Sequence, residues 1–197
     1  MGIFRLIKKG YEHTRKSKFI SEFQFFDRSS GIDKNCLFVG KKHIIVGSNT
    51  HFGHDCEIIA YDTHFDQPLN SRIVIGDNVR MTRGCRVTCA GNITINNDVL
   101  IAPDVMITDH NHGMNPIYPG GYSPQPLIVK DVVIDEGVWI GHGVSILPGV
   151  TIGKHSIIGA NSVVTKDISE YSIAVGAPAK VIKKWNFEQK IWVKVDI

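Results

Sequence analysis

From Ile134 onward an aliphatic side chain recurs at every sixth position: Ile134, Ile140, Ile146, Ile152, Ile158 and Val164. Two residues ahead of each runs a second series of small residues, Val132, Val138, Val144, Val150, Ser156 and Ser162. The same beat runs through Val46, Phe52 and Ile58, through Ile75, Met81 and Val87, and through Ile95, Ile101 and Ile107. This period fits neither an amphipathic helix nor one long alternating strand. A short strand and a turn, repeated, satisfy it: the aliphatic residue points inward and Gly, Asn or Asp takes a positive φ at the corner. Three such units close a triangular coil of about 18 residues, and coils stack at roughly the 4.8 Å strand spacing. The pattern therefore predicts an all-β chain, a parallel β-helix of hexapeptide repeats over residues 41–178.

The beat is missing at both ends. Residues 1–40 are expected to form an N-terminal cap, and residues 179–197 a short C-terminal helix or tail, covering sheet edges that would otherwise invite aggregation. Residues 63–72 and 111–126 also interrupt it. The second interruption is rich in turn residues and too long for a corner, so it should project as a loop, where rigid scaffolds often carry function.

Composition narrows the class. With 197 residues, 43% hydrophobic and 21% charged, the chain suits one globular domain rather than a disordered segment. The net charge is +3, yet residues 1–20 alone hold a net +5, leaving the remainder at −2. Such a body lacks the basic stripe that nucleic acid requires. Cys36, Cys56, Cys85 and Cys89 lack metal-site spacing and read as reduced thiols of a cytoplasmic protein. Lys8 and Lys9 interrupt any signal-peptide apolar core. The segment 1–20 interleaves aromatic and aliphatic residues with its cations, which suits an end cap with a solvated face or, less simply, a peripheral contact with an anionic membrane.

At the edge of the long loop stands Asp109-His110-Asn111-His112-Gly113. Together with GVWIGHGVSILPGVTIG at 137–153 and VVTKDI…AVGAPAKVI within 163–182, this run resembles the hexapeptide-repeat acyltransferases, in particular the sugar O-acetyltransferases. The resemblance spans residues 44–183. It implies a left-handed β-helix, although general crossover rules favour the right hand. It also implies a homotrimer with active sites between subunits, acetyl-coenzyme A as acyl donor and a carbohydrate acceptor, with no metal.

His110 matches the catalytic histidine of that family, and an imidazole suits the task of taking a proton from a sugar hydroxyl. With Ile107 inward, strand alternation puts His110 on the outer side. On the donor side the resemblance points to Trp139, Gly141, Ala160, Thr165, Lys166 and Lys183, with the N–H of His142 as a donor to the thioester carbonyl. On the acceptor side it points to Asp109, His112, Thr82 and Tyr118. Asp109, as a sequence neighbour, is expected to face away from the imidazole. One departure stands out: Thr82-Arg83-Gly84 replaces the asparagine-rich segment of the small-sugar enzymes, so the acceptor should differ. Two alternatives remain, a zinc enzyme resembling the γ-class carbonic anhydrases, whose H-x4-H spacing is absent, and a non-catalytic β-helix scaffold.

Overall fold

The computed structural model describes residues 18–195. Each circuit of the chain contributes one short strand to each of three parallel sheets. The first coil comprises β1 (Phe25–Phe26), β2 (Gly31–Ile32) and β3 (Leu37–Val39), and the second β4 (Ile44–Val46), β5 (His51–Phe52) and β6 (Glu57–Ala60). A small hairpin, β7 (Thr63–His64) and β8 (Gln67–Pro68), precedes the third coil of β9 (Arg72–Ile75), β10 (Arg80–Met81) and β11 (Arg86–Cys89). The fourth has β12 (Asn92–Ile95), β13 (Leu100–Ile101) and β14 (Met106–Thr108), after which β15 (His110–Asn111) and β16 (Ile128–Val129) bracket the long loop. The fifth has β17 (Val132–Ile134), β18 (Trp139–Ile140) and β19 (Ser145–Ile146), and the sixth β20 (Thr151–Ile152), β21 (Ile157–Ile158) and β22 (Val163–Val164). The result is a left-handed parallel β-helix.

The register explains the period. Met81 lies between Phe52 and Ile101, and Ile140 between Ile101 and Ile158, so each inward residue stacks on its counterparts one coil away. These side chains are shut off from solvent, each contributing about 1.5–3 kcal/mol by burial. The corner residue with positive φ falls three places after the inward one, at Asn78, Gly84, Asp98, Asp104, Gly137, Gly143 and Asn161 among others. Gly141, directly after Ile140, has a different reason to be glycine: a Cβ there would meet the Ala160 nitrogen and the Ile158 carbonyl at 2.7 Å.

Two boundaries differ from expectation. Among the described residues the helix begins at Phe25 rather than at 41, because Phe26, Ile32 and Phe38 already carry the beat, two of them with aromatic side chains. Among the described residues the cap is the segment 18–24. Phe19 and Phe23 close the open end by edge-on packing against Phe26 and Phe38, and Phe38 in turn against Phe52. At the other end β23 (Ser172–Val175) continues the second sheet, and residues 180–194 form an antiparallel hairpin, β24 (Lys180–Asn186) and β25 (Ile191–Lys194), not a helix. Alternating apolar residues and the Trp185–Trp192 pair across the two strands favour the sheet.

Candidate functional site

Both interruptions of the beat leave the same corner of the prism, where the third sheet turns toward the first: after β6 in the second coil and after β14 in the fourth. Between them the third coil turns tightly through Ala90-Gly91. The two insertions lean together over this turn. His64 Nε2 lies 3.0 Å from the Ser123 carbonyl and 3.1 Å from that of Gln125, so this nitrogen carries the proton and donates to both. Gln67 accepts from the Leu127 N–H at 2.6 Å and donates to the Leu127 carbonyl at 3.3 Å. Within the long loop the buried Gln125 accepts from the Asn115 N–H and donates to the Asn115 and Gly121 carbonyls. The projecting loop is thus pinned from inside and from the side.

Beneath these ties lies a pocket of about 370 Å³ lined by Tyr61, Thr63, His64, Phe65, His110, His112 and Leu127. Strand alternation past Ile107 puts Thr108 and His110 on the outer side and Asp109 inside. Asp109 is fully buried, which overturns its assignment to the acceptor side. Its carboxylate accepts from the Ala90 N–H at 2.8 Å, the Gly91 N–H at 2.7 Å and the Cys89 thiol at 3.2 Å. It does not face away from the imidazole either: Oδ1 is 2.8 Å from His110 Nδ1. Both groups bend toward the corner because the tight Ala90-Gly91 turn offers donors there.

Burial alone would push the Asp109 carboxyl up, but the donors from His110, Ala90, Gly91 and Cys89 outweigh it and hold the group below its ordinary range. Burial, followed by the adjacent Asp109 charge, pushes the Cys89 thiol up and keeps it a neutral donor. With a carboxylate on Nδ1, His110 carries its proton there and leaves the Nε2 lone pair without a partner among the described residues. The Tyr61 ring meets the imidazole edge-on at 5.6 Å and fixes its plane.

The remaining predicted residues divide by place. His112 lines the pocket with His110. Tyr118 lines an adjoining pocket of about 270 Å³ with His64, Phe65, Asp66, Gln67, Pro124 and Pro126. Thr82 does not join them. It sits at the corner between the second and third sheets, and its hydroxyl is spent on the Ile101 carbonyl at 3.0 Å. Trp139 is 48% exposed on the outer face of the second sheet, in line with Leu100 and Ile157. Gly141, His142 and Ala160 stack at the same corner as Thr82, while Thr165 and Lys166 are exposed at the corner that bears His110. Lys183 lies on β24 beside Ile173 and Lys194. The residues predicted for the donor side therefore divide between two corners of the prism, the outer face of its second sheet and the C-terminal hairpin. Among the described residues no group of three His, Cys, Asp or Glu side chains is arranged to hold a metal ion. Residues 1–17 of the basic segment fall outside the described residues, so the membrane contact stays an expectation there.

Sequence reasoning missed Tyr61, Thr63, His64, Phe65 and Leu127. The signal existed, since the interruption at 63–72 follows the third strand of its coil, the same phase as the interruption beside His110.

The profile of the bacterial transferase hexapeptide family (six repeats) matches residues 131–166. Residues 131–166 thus carry the hexapeptide repeat of that family. The hexapeptide chain is 41% identical over 128 residues to a putative lipopolysaccharide biosynthesis O-acetyl transferase, WbbJ, of Escherichia coli K12, covering 62% of this chain and 65% of that one. It is 43% identical over 95 residues to a galactoside O-acetyltransferase of Lactococcus lactis, covering 48% and 44%. The match thus spans less than two thirds of either relative. In three dimensions it resembles AntD, an N-acyltransferase from Bacillus cereus solved with dTDP and 3-hydroxybutyryl-CoA, with a TM-score of 0.70 and 20% identity over 89% of this chain and 90% of that one. At that identity the likeness shows the shared β-helix alone.

Proposed function

We propose that this protein transfers an acetyl group from acetyl-coenzyme A to a hydroxyl of a carbohydrate acceptor, with His110 as general base. The observation that carries the reading is the pairing of His110 Nδ1 with the buried Asp109 carboxylate, which commits Nε2 to the pocket as a proton acceptor. The names of the O-acetyltransferase relatives supply the direction of the chemistry.

Acetyl-coenzyme A would supply the acetyl group as a thioester. His110 Nε2 removes the acceptor hydroxyl proton as the oxygen bonds to the acetyl carbon. Asp109 holds the ring in the required tautomer and stabilises the imidazolium without taking the proton itself. When the carbon–sulfur bond breaks, the imidazolium returns that proton to the departing sulfur. The His142 N–H, which has no partner among the described residues while those of Gly141 and Gly143 are given to Ile158 and Pro103, suits the developing oxyanion.

The residues fit an extended thioester ligand. Thr82, Ala102, Gly141 and Gly159 follow the stacked inward residues in register, a track of small residues along which a flexible chain can lie. Lys166 and Lys183 suit its phosphates as point charges. Because track and general base lie on different edges of one chain, the proposed assembly is a homotrimer in which one subunit's edge faces its neighbour's. The four free cysteines suit a cytoplasmic setting.

A His110→Ala protein should keep its β-sheet circular dichroism and its assembly yet lose acetyl transfer, followed by release of free coenzyme A, by about 10²–10⁴-fold. Near wild-type turnover in that variant would remove the proposal.

A further inference from the structure

The pocket containing His110 is not isolated. His64 and Phe65 line both it and the adjoining 270 Å³ pocket, so the two form one trough with a shared wall. Together they fall within the roughly 300–1,000 Å³ typical of small-ligand sites. The ridge between them is Phe65, an aromatic side chain 63% exposed and carried on a left-handed backbone, φ 48°, at the tip of the β7–β8 hairpin. The two-residue turn of the hairpin requires such a positive φ at its first central position. The His64 ring braces it edge-on at 5.0 Å, and the His64 and Gln67 bonds to Ser123, Gln125 and Leu127 fix the hairpin against the opposite wall.

We propose that the acceptor is a glycan of at least two sugar rings, the acetylated ring lying beside His110 and the next ring in the adjoining pocket across Phe65. This rests on the acetyl-transfer reading and adds to it the size and chemistry of the acceptor. The second pocket combines the flat apolar faces of Phe65, Tyr118, Pro124 and Pro126 with the Asp66 carboxylate, the arrangement that receives a pyranose: its C–H face against the rings, its hydroxyls donated to the carboxylate. Among the described residues the lining includes Asp66 and neither lysine nor arginine, so a nucleoside-diphosphate sugar would put its charged bridge against a carboxylate. A neutral second sugar meets no such penalty.

The test compares methyl glycosides of glucose, galactose and N-acetylglucosamine with maltose, lactose and chitobiose. Wild-type and Tyr118→Ala proteins are assayed for coenzyme A release, and saturation-transfer NMR of each saccharide is recorded on the same proteins. Wild-type protein should prefer at least one disaccharide over its matched monosaccharide by about tenfold or more in kcat/KM, with both rings saturated in the NMR spectrum. In Tyr118→Ala that preference should fall to near unity, with saturation of the second ring lost. Equal use of mono- and disaccharides by the wild type, or an undiminished preference in Tyr118→Ala, would overturn the two-ring acceptor. Saturation of both rings without any acetyl transfer would uphold the two-ring site and reject the acetyl-transfer reading; saturation of neither ring would overturn the site.

Discussion

The Asp109 carboxylate and the His110 imidazole are sequence neighbours, yet they meet at 2.8 Å, the first inside the prism and the second at its wall. The contact exists because the next-lower coil turns through Ala90 and Gly91 directly beneath, donating two N–H groups to the same carboxylate. The orientation of the imidazole and the geometry of the corner are one arrangement here. Asp109→Asn should therefore lower kcat by roughly 10²–10⁴-fold, the amide favouring the wrong tautomer, with little change in KM for acetyl-coenzyme A. Steady-state kinetics at saturating donor would check this.

The same carboxylate makes stability depend on pH. Its folded pKa lies below the ordinary 3.8, so its contribution is fully present above that value and is lost as pH falls through the folded pKa. Thermal melts of the wild type should show stability declining below about pH 4. In Asp109→Asn that component of the decline should vanish, leaving a shallower acid limb from a lower starting point, and superimposable acid limbs would refute it.

Gly91 is constrained by contact and not by its backbone angle. A Cβ there would fall on Cγ1 of Val129, at the base of the long loop. Gly91→Ala should lower the melting temperature and slow catalysis by displacing β16 and with it Leu127 in the pocket wall. Trimming the obstacle in Gly91→Ala/Val129→Ala should recover part of both losses, so the two substitutions should couple by about 0.5–3 kcal/mol in a denaturation cycle.

These relationships mark the limit of the sequence. The inward ladder was readable because a strict six-residue period has few structural solutions, and the first coil escaped notice only because Phe26 and Phe38 replace the usual Ile and Val. His110 was readable from its motif. The partner of its ring was not, since alternation alone sends residues 109 and 110 to opposite sides and says nothing of the donors waiting on another coil. Phe65 and His64 were less visible: an interruption of the beat shows that a segment leaves the coil, and only comparing the phase of the two interruptions shows that both leave the same corner.

Gln125 offers a separate test of the long loop. It is 2% exposed and bonds Asn115 twice and Gly121 once. Gln125→Ala leaves the Asn115 N–H and the Gly121 carbonyl without their partner, a local cost of about 1–3 kcal/mol. Hydrogen exchange should accelerate across residues 113–126 while the coil amides keep their protection, and KM for the acceptor should rise. Uniform acceleration across the coils would mean that the loop is not an independent unit.

The division of the proposed site between two edges yields a sharper prediction. Within one chain Trp139 and Gly141 stand on the second sheet and the corner after it, while His110 stands at the far side of the third sheet. If each site takes its base from one subunit and its thioester track from the next, two inactive proteins can complement each other. His110→Ala removes the base, and Trp139→Ala removes the exposed indole beside the track. Neither side chain belongs to the inward ladder, so both variants should fold. Co-expressed at equal levels and assembled at random, they place an intact histidine against an intact tryptophan in about one quarter of the sites of a cyclic trimer. Activity should return to that fraction only in the co-expressed sample, and mixing the two purified, preassembled proteins should restore none on a timescale shorter than subunit exchange. A co-expressed sample no more active than its parents, with mixed trimers verified by mass, would show that each chain carries a complete site.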